Sequence, residues 1–270
     1  MISGTFHRAD GSPKTVIVTG GAGGIGAQTI RTYHETGCNV VIADLPFARE
    51  AAENLIASLS EPSRALYHPT NIVDWADIRL LFRTTVEKFR QVDIVIANAG
   101  IMETLRLAMY SMKGNAVDSD GARGSIVLIA STSGYFGGTG VVSYITSKHG
   151  VVGLCRSSQR VANQLQIRVN VVAPFFTPTY ITGGYATEWK ERGLPANTIE
   201  DVATAIVQTS ADSERKGHSI MVAGKIMREI ETARTALTKQ WLGDEIAQVM
   251  ADGGKFFDDM GGYPLPKARG

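Results

Sequence analysis

Cysteine is nearly missing: Cys38 and Cys155 are the only two in 270 residues. Two thiols so far apart cannot build a disulfide framework, and they point to a reducing, cytoplasmic setting. A surplus of charge is missing as well. The chain has 27 Lys and Arg against 26 Asp and Glu, a formal net charge of +1, with no basic face. Binding to nucleic acid or to an anionic membrane therefore has no electrostatic support. No apolar run approaches the ~18 residues of a membrane-spanning helix. The opening MISGTFHRADGSPK lacks the apolar stretch of a signal peptide, and the closing KARG is no receptor-read address. Neither Cys nor His recurs at ligand spacing, so no metal is expected.

Glycine and aliphatic residues are abundant, with 29 Gly and 44% hydrophobic residues, enough for one large domain over 1–270. Short β-branched runs at 15–19, 39–43, 65–67, 93–97, 125–130, 167–172 and 218–222 read as strands. Most are apolar throughout, as in a parallel sheet covered on both faces. Helical patterns fall between them at 24–36, 48–59, 74–90, 103–113, 144–165 and 199–212. The alternation predicts an α/β fold of the Rossmann type, a doubly wound parallel sheet in a single domain. Residues 114–124 read as a loop and 177–198 as a cover over a cleft. The tail reads as helix over 231–250 and as a Gly/Pro-rich end from 253, together a C-terminal extension over 231–270.

The first strand runs into TGGAGGIG at 19–26, which opens the first helix. Gly20 suits a tight turn, Gly24 a close approach of backbone to a pyrophosphate, and Gly26 tight packing of helix on strand. The helix amino terminus would then face the phosphates. An ordinary Gly-rich turn is the plainer alternative. Asp44 ends the second strand, where a carboxylate can accept from the adenosine ribose hydroxyls and would repel a 2′-phosphate. Leu45 and Pro46 supply no cation there, so NAD is expected over NADP. The alternative for Asp44 is a cap on the next helix.

Tyr144 and Lys148 are four apart, so a helix puts them on one face. A phenol titrates near about 10 in water, and a neighbouring ammonium favours the phenolate, which makes proton transfer possible. Ser131, at the end of a strand, could bond a carbonyl or alcohol oxygen. Alone, Tyr-x-x-x-Lys usually marks a solvated helix face. Together with TGGAGGIG, Asp44 and Asn98-Ala99-Gly100, it resembles the short-chain dehydrogenase/reductase family over about residues 13–230. The likeness extends to the family's NAD-dependent fungal and 15-hydroxyprostaglandin-dehydrogenase-like members.

That resemblance implies an NAD-dependent enzyme interconverting a secondary alcohol and a ketone. Tyr144 would be the general acid/base, Lys148 would lower its pKa and hold the nicotinamide ribose, and Ser131 would orient the substrate oxygen. Gly20, Gly24, Ile25, Gly26 and Asp44 would hold the cofactor, with Asn98, Ala99 and Gly100 on its adenosine side. Asn71 and Ile72 would meet the adenine, although the family commonly has Asp at position 71. Pro174 and Thr179 match the nicotinamide-binding turn, where Phe175 replaces the usual Gly and crowds the pocket. Tyr180, Tyr185, Trp189 and Leu194 suggest a small-molecule apolar substrate, or else simply pack the cover. His149 reads as helix surface and Cys155 as core.

One stretch departs from the family. Between Gly100 and Ser131 its members carry a further loop and the first half of the next helix, with a catalytic Asn. Nothing in IMETLRLAMYSMKG fills that role, and Asn115 lies beyond the helix. The segment looks deleted. The remaining residues 101–124 still suffice for a parallel crossover, with Leu105, Ala108, Met109 and Met112 as the buried stripe. The alternative function is therefore an NAD-binding protein of the same fold with little turnover. In the family this helix and the one bearing Tyr144 form the dimer contact, so the homo-oligomer that the resemblance implies would be weakened.

Overall fold

The computed structural model describes residues 6–137 and 140–263. The chain falls into two compact units, Met1–Glu229 and Ile230–Gly270. The first holds one eight-stranded sheet made of β1 (Thr15–Thr19), β2 (Asn39–Asp44), β3 (Ala65–Pro69), β4 (Ile94–Ala97), β5 (Gly124–Ile129), β6 (Ile167–Pro174), β7 (Ser219–Ala223) and β8 (Ile226–Glu229). Their order is β3-β2-β1-β4-β5-β6-β7-β8. All neighbours are parallel except β8, which returns antiparallel along β7. The expected Rossmann-type α/β architecture is present.

Helices α1 (Gly24–Glu35), α2 (Arg49–Ala57), α3 (Trp75–Phe89), α4 (Ile101–Met112), α5 (Val142–Gln164), α6 (Gly183–Glu191) and α7 (Ile199–Ala211) complete this unit. Strand side chains alternate between faces, and the core divides accordingly. Ile17 joins Leu81, Leu105, Met112, Val151 and Cys155 on one face. Val16 and Val18 join Ile30, Tyr33, Leu55 and Ile206 on the other. Each such aliphatic side chain is worth about 1.5–3 kcal/mol when fully buried, so the sheet is held from both sides. Strand order reverses between β1 and β4, which opens a crevice at the carboxyl ends of those strands.

The structure adds β8, which has no alternating pattern and is mostly exposed. It also shows α6 inside the stretch 177–198. The second unit carries α8 (Glu231–Ala236), α9 (Thr238–Leu242) and α10 (Asp244–Asp259). Helix therefore runs through Gly253 and Gly254, six residues past the point where the Gly/Pro-rich end was expected. Two glycines cost about 2 kcal/mol, and Ile246, Val249, Met250 and Phe257 stand along the helix exposed, with none of its residues buried. Among the described residues, no helix is long and apolar enough to cross a membrane.

The short crossover closes. Gly100 caps α4 in the left-handed region (φ 59°), and the helix buries Thr104, Leu105, Ala108 and Met112, with Met109 half-buried. Asn115 then pins the loop, its Nδ2 donating to the carbonyls of Val92 (2.8 Å) and Arg123 (2.9 Å). The amino-terminal turns of α5 lie open: from Val142 to Gly150 no residue is buried, whereas Val151, Val152 and Cys155 further along are.

Candidate active site

The turn after β1 is built by contact as well as by conformation. Gly20 has φ 67°, and a Cβ there would meet Asn98 Nδ2 at 2.8 Å. At Gly26 a Cβ would come within 2.0 Å of the Gly20 carbonyl oxygen, so helix and turn are pressed together. Gly24 differs. It has φ 51° but ordinary space, with Thr179 Cγ2 at 3.7 Å from the Cβ position. No acidic residue occupies the first turn of α1, leaving its positive end unscreened. Ile25 packs partly into the core behind it.

Asp44 ends β2 and turns over this loop. Its carboxylate accepts from the N–H of Ala22 (3.0 Å) and of Leu45 (2.8 Å). It forms no cap on the helical turn at 46–48. The opposite wall is Asn98-Ala99-Gly100. Asn98 Nδ2 donates to the carbonyls of Thr19 (3.0 Å) and Gly20 (3.3 Å). Sequence reasoning overlooked Thr19, which is fully buried. Its hydroxyl donates to the Ala99 carbonyl (2.6 Å) and accepts from the N–H groups of Asn98 (3.2 Å) and Ala99 (3.0 Å). One threonine thus ties the glycine turn to the opposite wall.

Ile72 closes the side: a Cβ on Gly100 would lie 2.4 Å from its Cβ. Asn71 is braced within its own loop. Its side-chain carbonyl accepts from the Val73 N–H at 3.2 Å, and its own N–H donates to Asp77. The amide is engaged in its own loop.

The three residues expected to do chemistry gather around the carboxyl ends of β5 and β6. Ser131 is buried, accepts from the Ser133 N–H (3.1 Å) and donates to the Pro174 carbonyl (3.3 Å). Tyr144 stands in the first turn of α5, 40% exposed. Lys148 lies one turn on, its Nζ 5.6 Å from the Tyr144 ring centroid and 2.9 Å from the Ile129 carbonyl to which it donates. Burial lowers the Lys148 pKa from 10.5 to about 8. Gly134 lets the turn at 132–134 close on α5, since a Cβ there would sit 2.6 Å from the Lys148 carbonyl oxygen. His149 is exposed, and its Nδ1 stands 3.0 Å from the Ile145 carbonyl.

After Pro174 the chain arcs back toward Gly24. The Thr179 N–H donates to Thr182 Oγ1 at 2.8 Å, and its methyl is the one facing Gly24. Asn197, another residue the sequence pattern concealed, anchors the arc. Its Nδ2 donates to Phe175 O (3.2 Å), Thr177 Oγ1 (3.2 Å) and Val222 O (2.9 Å), while its Oδ1 accepts from the Gly224 N–H (2.7 Å). Phe175 meets Trp189 edge-on at 5.8 Å, and Phe176 stacks on the same indole at 4.2 Å. Tyr185 joins Phe176 at 5.7 Å, so the cover has an aromatic cluster of its own. Tyr180 and Leu194 lie outside it, exposed.

A crevice where strand order reverses, a glycine turn below it and a Ser, Tyr and Lys beside it define a nucleotide-binding oxidoreductase. The family described as short chain dehydrogenase matches residues 14–190, and the chain belongs to that family. It is 34% identical over 208 residues to short-chain dehydrogenase reductase 4 of Arabidopsis thaliana, covering 69% of this chain and 68% of the relative. With short-chain dehydrogenase reductase 3b of the same plant it shares 32% over 232 residues, covering 78% and 83%. Among solved structures, the 3-hydroxyacyl-CoA dehydrogenase type-2 of Mycobacterium avium superposes with a TM-score of 0.72 at 26% identity, covering 80% of this chain and 96% of that one.

Proposed function

We propose that this protein is an NAD-dependent oxidoreductase that interconverts a secondary alcohol and a ketone. The observation that carries the proposal is the joint placement of Ser131, Tyr144 and Lys148 beside a glycine cradle that side chains would fill. The cradle fits a dinucleotide: the open amino terminus of α1 suits a pyrophosphate, and Asp44 over the loop suits ribose hydroxyls and disfavours a 2′-phosphate. When bound, the nicotinamide supplies the hydride acceptor or donor.

The chain's own residues do the rest. Tyr144 takes the proton of the substrate hydroxyl, and gives it back in the reductive direction. The Lys148 ammonium, 5.6 Å from the Tyr144 ring centroid, can bond the nicotinamide ribose. Ser131 holds the substrate oxygen toward Tyr144, and Pro174 and Thr179 wall the nicotinamide end. The aromatic cluster of Phe176, Tyr185 and Trp189 favours a largely apolar substrate. The Mycobacterium avium neighbour is named for a 3-hydroxyacyl-CoA, itself a secondary alcohol, which supports this substrate class.

We read the short α4 as a limit on rate. The open first turns of α5, where no residue from Val142 to Gly150 is buried, support a loss after Gly100. The test is NADH formation across a panel of secondary alcohols, with Tyr144→Phe alongside. Turnover by the parent that falls at least ~100-fold in Tyr144→Phe, with NADH affinity kept, is the expected result. Equal turnover in both would refute the proton role, and NADH binding without turnover would favour the binding-only alternative.

A further inference from the structure

At the carboxyl ends of β5 and β6 the chain is bare of charge. Residues 131–147, and again 174–187, include no Asp, Glu, Lys, Arg or His, in a protein that is 20% charged. The two stretches meet at the substrate end of the crevice, where the Ser131 hydroxyl donates to the Pro174 carbonyl at 3.3 Å. They are not interior segments, in which charge would be missing anyway. Phe136, Val141, Val142, Tyr180, Ile181 and Tyr185 are all exposed. Surface without charge on both walls of one cleft calls for a common explanation.

The charges that border these stretches are engaged elsewhere. Lys148 donates from its Nζ to the Ile129 carbonyl at 2.9 Å. His149 follows it about 100° round the helix, with its Nδ1 3.0 Å from the Ile145 carbonyl. Arg156 lies about 12 Å further along α5, its guanidinium over the Tyr135 ring at 5.8 Å. Past the second stretch, Glu188 pairs with Arg192 on the exposed side of α6. Lys225 stands exposed in the turn between β7 and β8. Neither wall thus supplies a fixed cation to an anionic group, or a carboxylate to a cationic one.

We propose that the site selects its substrate by charge: it takes a secondary alcohol or ketone with no formal charge beside the reacting carbon, and turns away hydroxy acids and amino alcohols. This rests on the oxidoreductase reading given above. A charged group brought against these walls would give up water and find no partner, which is costly. A neutral alkyl or ester group there loses little, and its hydrocarbon gains contact with the exposed apolar side chains. An anion is disfavoured further, since the pyrophosphate of a dinucleotide would bring negative charge into the same crevice.

The test uses four compounds that share one pentyl group on the carbinol carbon: 2-heptanol, methyl 3-hydroxyoctanoate, 3-hydroxyoctanoate and 1-aminooctan-3-ol. The first two are neutral, the third is an anion and the fourth a cation. The ester separates charge from mere polarity. Two readouts are taken on the full chain. One is NADH formation, expressed as kcat/KM; the other is calorimetric binding, with NADH, whose nicotinamide ring is uncharged, and without it. Both neutral compounds should exceed both charged ones by about tenfold or more in each readout. Either charged compound matching the ester in kcat/KM or in affinity would overturn the proposal. Neutral compounds that bind in preference to the charged ones, with no turnover of any, would uphold the charge selectivity and refute the oxidoreductase reading. Neither binding nor turnover of any of the four would overturn the proposal.

Discussion

Lys148 shows most plainly what the site asks of single residues. Its ammonium is withdrawn from water onto one carbonyl, and burial brings its pKa to about 8. In the unfolded chain the group returns to its ordinary value of 10.5. Between those two values the unfolded chain holds a proton that the folded chain has released. This group's contribution to stability therefore rises with pH across that window, and below pH 8 it is a fixed cost. Lys148→Met should accordingly be more stable than the parent at pH 7, by about 1–2 kcal/mol after loss of the carbonyl bond. The gain should shrink toward pH 10. Urea unfolding of both chains at the two pH values checks this, and a gain that grows with pH would contradict it. The same variant should bind NADH more weakly and turn over more slowly. At this scale the sequence was legible where a motif carried the residue, as with Asp44, Tyr144 and Lys148. It was silent on Thr19 and Asn197. A buried polar residue leaves no periodic trace, and its bonds join segments far apart in the chain.

At the scale of elements, the glycine turn and the α4–α5 pair carry the consequences. Gly26 and Gly24 look alike in TGGAGGIG, yet their surroundings differ. A methyl at Gly26 would collide with a backbone oxygen, while at Gly24 it would meet only strain from a positive φ. Gly26→Ala should cost about 3 kcal/mol or more, against about 1–2 kcal/mol for Gly24→Ala. Equal losses on urea unfolding would show that the turn yields more easily than its contacts imply. For α4, a variant carrying a family-type loop and half-helix with its Asn after Met102 should turn over at least about tenfold faster than the parent, because acid/base groups contribute this much when connected. Equal rates on the same substrate would make the short helix a working alternative. The strands and most helices were readable because apolar runs of strand length and 3.6-residue stripes leave clear patterns. β8 was not, being short and exposed. α10 was missed beyond residue 250 because Gly253 and Gly254 read as the start of an irregular end.

For the molecule as a whole, the parallel sheet brings five separate stretches of chain to one crevice. The glycine turn, Asp44, the 98–100 wall, the Ser131–Lys148 group and the 174–179 arc share no sequence proximity. Strand order places them side by side; the β/α alternation had pointed to the doubly wound parallel sheet, not to the order of its strands. Local detail did not follow: the Asn71 side-chain carbonyl accepts from the Val73 N–H, a bond within its own loop that no sequence pattern announced. If Asp44 selects the cofactor as proposed, this crevice prefers NAD to NADP. The most direct measurement is a paired equilibrium titration of the parent chain and Asp44→Ala with NADH and NADPH. The parent should prefer NADH by about tenfold or more, since like charges brought together cost several kcal/mol, and Asp44→Ala should lose most of that preference. Equal or tighter binding of NADPH by the parent would contradict the claim.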